Sequence, residues 1–349
     1  MAKSELDALE AAFRSAQARL GVAAGLVTRD EWMGLRIASP SSGSYGMMMR
    51  LLRLILGLRS MSRRLSQSYY QLARAMETGY TVSEDGEDMM LSELRDSFQA
   101  DLEMVRTLDF NWPNMTAEEK YAAQQMLEVS RGDTDSWNPG ELGQSLEDWI
   151  DSIVGEDRVI NGEKIAWTND RIQSLDDAMR AFRNVIGEAG IKDLEDKIRR
   201  LKQKYADDPD RLLAEIEDAF LTNRDKLAGV IDDAAIGSGR ELINDSMMRD
   251  KRAVWVARGV RSNPCHFCSM LASRGFVYKS ARDAVAGTHP NCHCYPIVRW
   301  SKEKPKLPES NQYYQDMWDK VTGDHYGKDK VKAWRKWLAP IRRRNGGKL

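Results

Sequence analysis

Hydrophobic residues recur at alternating spacings of three and four between residues 4 and 26 (Leu6, Leu9, Phe13, Ala16, Leu20), which predicts an amphipathic helix. The stretch Pro40-Ser-Ser-Gly-Ser-Tyr-Gly46 breaks the pattern. A long helix is then predicted from Met47 to Thr78, stopped by Gly79. Its first part, MMMRLLRLILGL, is the most apolar run of the chain, but Arg50 and Arg53 interrupt it. A membrane span needs about 20 nearly uninterrupted apolar residues, so none is expected. Leu91, Leu94, Phe98, Leu102 and Val105 keep helical spacing inside an acidic stretch. Thr116-Ala-Glu-Glu119 reads as a capping box that opens a helix to about Arg131. Residues 133–157 show no periodicity and contain Pro139, Gly140 and Gly143, the composition of a linker or lid.

From Ser174 the helical pattern returns. Ile191, Leu194, Ile198, Leu201 and Tyr205 form a 3-4-3-4 seam of the kind found in helical hairpins. Asp207-Asp-Pro-Asp210 caps a following helix that carries Leu213, Ile216, Phe220, Leu227 and Ile231. Gly237-Ser-Gly239 is expected to break it, leaving a last short helical piece over Arg240–Arg249. Val254–Ala257 and Phe276–Tyr278 are short β-type runs, so residues 251–300 read as a small α+β module. The predicted fold is mainly α, with long helices and helical hairpins and a small zinc-stabilised α+β C-terminal module. The expected organisation is a helical region 1–132, an acidic linker 133–165, a helical hairpin region 166–250, the Cys/His module 251–300 and a basic extension 301–349.

Charge refines this picture. Over 349 residues, 52 Lys+Arg oppose 53 Asp+Glu for a formal net charge of −1. That balance excludes a uniformly basic nucleic-acid binder and a uniformly acidic disordered chain. The distribution is uneven, however. Residues 1–80 hold eleven bases against six acids, residues 83–110 nine acids against two bases, and residues 133–157 eight acids and no base. Residues 328–349 hold nine bases against Asp329. Glu5 and Asp7 leave no room for an apolar leader, so residence in a cytoplasm, or in a particle assembled there, is expected.

The chemistry concentrates in one place. All four cysteines lie between residues 265 and 294, with three of the four histidines among them. The pattern is C-x2-C-x20-H-x2-C-x-C. Zinc takes four Cys or His ligands tetrahedrally, and two such pairs on separate turns can close a structural site. Cys265, Cys268, His289, Cys292 and Cys294 are five candidates for four positions. The preferred set is Cys265, Cys268, His289 and Cys294, and a four-cysteine set comes next. His266 and His293 sit inside the two turns and are expected to point outward.

Enzymatic readings find little support in the motifs. A zinc deaminase needs H-x-E upstream of its P-C-x-x-C, and no histidine precedes His266. The H-E-x-x-H of metalloproteases and the phosphate-binding G-x-x-x-x-G-K-[ST] are both missing. His325, in a polar Thr-Gly-Asp-His-Tyr stretch, reads as a surface histidine. In the tail, Lys332, Trp334, Arg335, Lys336, Trp337, Arg342, Arg343 and Arg344 interleave bases with indoles. Stacking plus phosphate contact would suit nucleic acid, and a solvated amphipathic helix is the other reading.

The segment Trp255–Trp300, with its C-x-x-C, Gly275-Phe-Val-Tyr278 and His289-Pro-Asn-Cys-x-Cys294, resembles the C-terminal signature of tailed-phage minor head proteins. These are the head morphogenesis proteins related to the F protein of phage Mu (MuF-like). Leu9-x3-Phe13-Arg-x4-Arg19-Leu and Ser68-Tyr-Tyr-x3-Arg74-Ala resemble the helical N-terminal region of the actinobacterial-phage branch, often labelled capsid maturation proteases. The resemblance implies a minor capsid protein of the virion, present in few copies at the head interior or portal region. It also implies portal, major capsid and scaffolding proteins, and packaged DNA, as partners, with a role in procapsid assembly or genome delivery. A capsid maturation protease is the alternative, although no protease motif accompanies it. One departure is His293, where the signature usually has a basic residue in H-P-N-C-R-C. A contact with an acidic partner there would become pH-dependent.

Overall fold

Three long helices form the body of the molecule: α1 (Lys3–Met33), α2 (Ser44–Thr78) and α7 (Pro209–Arg249). The computed structural model describes residues 3–83, 85–131, 158–164, 175–261 and 263–344. The three helices pack on one another around Leu20, Ala24, Leu51, Leu52, Ile55, Leu65, Ile231 and Ala235, all buried in one core. Among the described residues no helix is long and apolar enough to cross a membrane. Gly79 closes α2 as its sequence predicts: it sits at φ 75° and donates its N–H to the Ala75 carbonyl at 2.9 Å.

The expected break at Gly237-Ser-Gly239 does not occur, and α7 continues through it as one helix of 41 residues. These residues are a contact surface instead. A methyl group on Gly239 would lie 2.4 Å from Ser66 Oγ, 2.5 Å from Ser62 Oγ and 2.8 Å from the Ser62 carbonyl of α2. Ser238 Oγ donates to the Arg59 carbonyl at 2.7 Å, and Gln17 of α1 bridges Ser62 and Ser66. Glycine costs a helix about 1 kcal/mol of intrinsic preference. Close approach of two helix backbones, with their hydroxyls paired, offsets it here.

The outer elements follow from local chemistry. Helix α3 (Leu91–Arg106) presents Leu94, Phe98, Leu102 and Val105 to the core. Buried Arg19 holds its C-terminal end, donating to the Val105 and Arg106 carbonyls, to Leu108 just beyond it and to Leu127 of the next helix. Helix α4 (Ala117–Arg131) opens with the predicted capping box, the Thr116 and Glu119 side chains each accepting from the other's backbone N–H. Strands β1 (Tyr80–Ser83), β2 (Met89–Met90) and β3 (Val159–Lys164) make a small sheet in the order β1–β3–β2. Strand β3 runs parallel to β1 and antiparallel to β2. Thus the end of the expected linker 133–165 is a strand, while the expectation for residues 133–157 lies outside the described residues. Helices α5 (Leu175–Asn184) and α6 (Asp193–Lys204) are joined by a π-helical segment, Val185–Lys192, and α6 packs on α7. Ile191, Leu194, Ile198 and Tyr205 of the predicted seam are buried, whereas Leu213 on α7 is 66% exposed. Asp208 caps α7, accepting from Arg211 N–H, with Pro209 in the first turn.

The C-terminal region is a hairpin flanked by helices. Strand β4 (Trp255–Gly259) pairs antiparallel with β5 (Tyr295–Arg299), from Trp255↔Arg299 to Gly259↔Tyr295. Phe276–Tyr278 is not the second strand; it reaches β4 through one backbone bond, Tyr278 N–H to the Val256 carbonyl. Short helices α8 (His266–Ala272) and α9 (Ala281–Ala284) lie between the strands. The expected extension 301–349 also differs. Helices α10 (Glu309–Thr322) and α11 (Lys328–Arg344) fold back, placing Tyr314, Trp334 and Leu338 in one core with Cys268, Cys292 and Cys294.

Strand β5 and the residue after it lock hairpin to body through buried charges. Arg299 pairs with Glu10 of α1 and with Glu77 of α2, and Tyr295 Oη donates to Glu10 at 3.1 Å. Trp300 Nε1 and Tyr70 Oη donate to Asp250 at 2.7 and 3.0 Å, and Arg74 Nε reaches the same carboxylate at 2.7 Å. Burial opposes the charge on Asp250, but Arg74, the Arg252 N–H and the Trp300 indole outweigh it and hold its pKa below the ordinary value.

Three substitutions test this packing. Gly57 faces open space on α2, so Gly57→Ala should stabilise by up to ~1 kcal/mol. Gly239→Ala should instead destabilise by about 1–3 kcal/mol through overpacking, and thermal unfolding midpoints report both signs. Asp250 contributes stability that is fully present above its unfolded pKa of about 4 and is lost as pH falls through its lower folded value. Asp250→Asn should therefore cost about 3–5 kcal/mol at pH 7. Denaturant titrations should show that gap closing as pH drops below about 4.

Candidate metal centre

The two cysteine turns meet because each is pinned locally. Cys265 is the N-cap of α8, and its Sγ accepts the Cys268 N–H at 3.3 Å. The second turn passes through Asn291 at φ 62°, whose N–H donates to the Gly229 carbonyl of α7 at 3.3 Å. A methyl group on Gly229 would collide with Pro290 and Asn291, at 2.9 and 2.7 Å, so this glycine admits the turn against the helix.

His289 Nε2 lies 3.0 Å from Cys265 Sγ and 3.8 Å from Cys268 Sγ, and Cys268 Sγ lies 3.6 Å from Cys292 Sγ. Two triads result, Cys265–Cys268–His289 and Cys268–Cys292–Cys294, each with donor atoms within 4.8 Å of one another. None of the four cysteines is in a disulfide. A tetrahedral ion with metal–sulfur bonds near 2.3 Å separates its sulfurs by roughly 3.8 Å, so the donor spacing suits such an ion. Cys268 belongs to both triads. The triads bring all five predicted candidates together without reducing them to one set of four.

Hydrogen bonding divides the thiols. The bond from Cys268 holds Cys265 at about 4, against the desolvation that opposes it. Cys292 is likewise pushed down by Cys268, while Cys268 is pushed up by its sulfur neighbours. Cys294 also bonds to Cys268, yet Cys292 and burial push it up to about 12. Thiolates at Cys265 and Cys292 are the form a divalent metal binds.

Two buried arginines support the cluster. Arg258 of β4 points Nη2 at Cys268 Sγ (3.4 Å) and Cys292 Sγ (3.9 Å), while Nη1 donates to the Ala284 and Ala286 carbonyls. Burial opposes its charge, but the neighbouring cysteine sulfurs raise its pKa further. Arg240 of α7 donates to the Cys292 and Cys294 carbonyls and pairs with Asp233 at 2.6 Å. The cavity at the mouth is about 40 Å³, lined by the cluster with Arg261, Pro264 and Arg342. That is room for a single ion, far below a small-molecule pocket.

His293 points inward, contrary to expectation. It is 3% exposed, with Nε2 at 2.7 and 2.9 Å from the two oxygens of Asp232 on α7 and Nδ1 at 3.1 Å from Arg261. The acidic partner of this signature position is therefore inside the chain. Gly21 of α1 makes room, since a methyl there would lie 2.1 Å from Asp232 Oδ1. His266 is half-buried and its carbonyl accepts Trp334 Nε1 at 3.0 Å. Trp334 is fully buried and Trp337 stacks on it with centroids 4.7 Å apart, so Trp334 is not available to stack on bases. Lys332, Arg335, Lys336 and Arg343 are exposed, and Arg342 is half-buried at the cluster's mouth. His325 is exposed in the turn between α10 and α11.

Residue spacing does not signal Arg240 or Asp232, which reach Cys294 and His293 from α7, 54 and 61 positions away, nor Arg258, which belongs to no motif and comes from β4. Cys268→Ser, which breaks both triads, should abolish stoichiometric binding of a divalent ion. Arg258→Met should weaken binding by roughly 10–100-fold, the range for groups that orient metal ligands. Competition against a chromophoric chelator measures both; unchanged affinity in Arg258→Met would remove this arginine from the site.

The family model described as VG15 protein matches residues 100–321, a span that includes every cysteine and all the cluster's histidines. The match points to a phage-encoded protein. No curated protein and no solved structure matches the chain.

Proposed function

The chain belongs to the VG15 protein family, and we propose that it is a minor head protein of a phage, built into the particle during procapsid assembly or genome delivery. One observation carries this reading. The two sequence regions that resemble MuF-like proteins form a single interface. Phe13 stacks on Tyr69 at 4.1 Å and meets Tyr295 edge-on at 5.8 Å, while Tyr70 meets Trp300 edge-on at 5.1 Å. Arg74 and Trp300 share Asp250. The N-terminal and C-terminal motifs are thus the two halves of one interface buried inside the chain. On this reading the portal, major capsid and scaffolding proteins are the partners.

Zinc is the ion that best fits a closed site of Cys and His donors. Its role is structural: it joins the α8 turn to the turn before β5, in a module whose own core is small. Purified protein should carry about one zinc per chain, and chelation should open residues 260–344 to proteolysis. When the chain is co-produced with the portal, major capsid and scaffolding proteins of one phage, it should co-purify with assembled heads, and Cys268→Ser should lower its incorporation. Heads that consistently lack the chain would sink the assembly reading.

A protease reading gains one observation. Cys265 Sγ and His289 Nε2 lie 3.0 Å apart, with His289 Nδ1 held 2.9 Å from the Pro290 carbonyl. The same atoms sit beside Cys268 in a metal-sized cleft, which favours coordination over nucleophilic attack. Capsid protein cleavage that persists in Cys265→Ala excludes the dyad.

A further inference from the structure

Helix α11 turns its indoles inward and its cations outward. Over Lys328–Arg344 the sequence holds Lys328, Lys330, Lys332, Arg335, Lys336, Arg342, Arg343 and Arg344 against Asp329 alone. Trp334 and Leu338 are buried and Trp337 half-buried on the side facing α8 and α10. Lys328, Lys332, Arg335, Lys336 and Arg343 are exposed. At 100° per residue these five fall within one arc opposite Trp334. Lys328, Lys332, Arg335 and Lys336 fall within little more than two turns and Arg343 follows two turns on, over roughly 22 Å of helix. The basic surface continues onto the metal module. Helix α11 packs against α8, where Trp334 Nε1 donates to the His266 carbonyl. Arg342 and Arg261 line the mouth of the cysteine cleft, and Arg342 Nε is buried without a hydrogen-bond partner.

We propose that this face of α11 binds the phosphate backbone of duplex DNA without reading its sequence. The burial of Trp334, with Trp337 stacked against it, removes base stacking, the main gain a single strand would offer. A line of exposed cations about 22 Å long suits a rod-like polyanion that carries one charge per about 1.7 Å of axis. Asp329, the one acid of the helix, pairs with Lys332 at 2.9 Å in a solvent-exposed contact that a phosphate can displace. The inference depends on neither the metal nor the head assignment, since it rests on the exposed face of one helix.

The test uses the full-length protein and a labelled random-sequence duplex of about 30 base pairs, followed by fluorescence anisotropy across KCl concentrations. Five phosphate contacts predict a slope of log K against log[KCl] near −4.5, or about 500-fold weaker binding between 50 and 200 mM. Lys332→Glu/Arg335→Glu/Lys336→Glu/Arg343→Glu should lose at least ~100-fold at 50 mM and flatten the slope to about −1. The corresponding four-glutamine variant should lose less affinity but flatten the slope equally, which keeps the test valid if charge reversal disturbs folding. Retained affinity in both variants, a salt-independent complex, or tighter binding of a single strand of the same length would overturn the proposal. Displacement of the duplex by polyglutamate at equal charge concentration would overturn it in favour of an acidic protein partner.

Discussion

Guanidinium groups in the interior set the arrangement of this fold. Arg74, Arg240, Arg258 and Arg299 each place their charge where water cannot reach. A buried charge is tolerated only with close partners, so each arginine fixes the elements that supply them. Arg299 draws β5 onto α1 and α2 through Glu10 and Glu77, and Arg74 draws the end of α7 onto α2 through Asp250. Arg240 draws the second cysteine turn onto α7, and Arg258 sits under the sulfurs. Removing one of these charges would leave a partner unpaired in the interior, which is why a small hairpin can be held rigidly against a much larger helical body.

Small residues complete that arrangement by allowing backbones to approach. Gly239 brings α7 against Ser62 and Ser66 of α2, and Gly229 admits the Pro290–Asn291 turn. Gly21 leaves space for the Asp232–His293 pair between α1 and α7. The cysteine cluster is therefore not an independent knuckle hung at the end of the chain. One of its turns rests on α7, and the other opens α8, beneath the buried indole of Trp334. A metal bound there would tie the position of α7 to that of α10 and α11, joining body to C-terminal helices.

The charge distribution takes on a spatial meaning from this. The basic residues of α2 and the acidic residues of α3 are partly spent on each other, as in Arg64–Asp101 at 3.1 Å. The cations of α11 remain on the outer surface because the apolar side of that helix is consumed by the module's core. A protein of near-zero net charge thus carries a strongly basic face on α11, fixed in orientation relative to the cysteine cluster.

Periodic helices were legible in the sequence because their signal is local: α1, α2, α3, the capping box of α4 and the Gly79 stop need only neighbours within a turn or two. The five metal candidates were legible for the same reason, since Cys-x-x-Cys and His-x-x-Cys-x-Cys each fold on themselves. The same local rules misread Gly237-Ser-Gly239 as a break, gave β character to residues 276–278 without marking β5, and left residues 301–349 as an extension. Each error has a long-range cause. A glycine that meets Ser62, a strand whose partner lies some forty positions on, and a tryptophan that caps a cysteine turn from α11 are decided by contacts no local window contains. The direction of His293 belongs with them, because Asp232 reaches it from 61 positions away. The sequence by itself determined which segments are helical and which residues can bind a metal. Tertiary structure alone decided where the buried charges find partners and which side of α11 meets water, because burial is a property of the assembled fold.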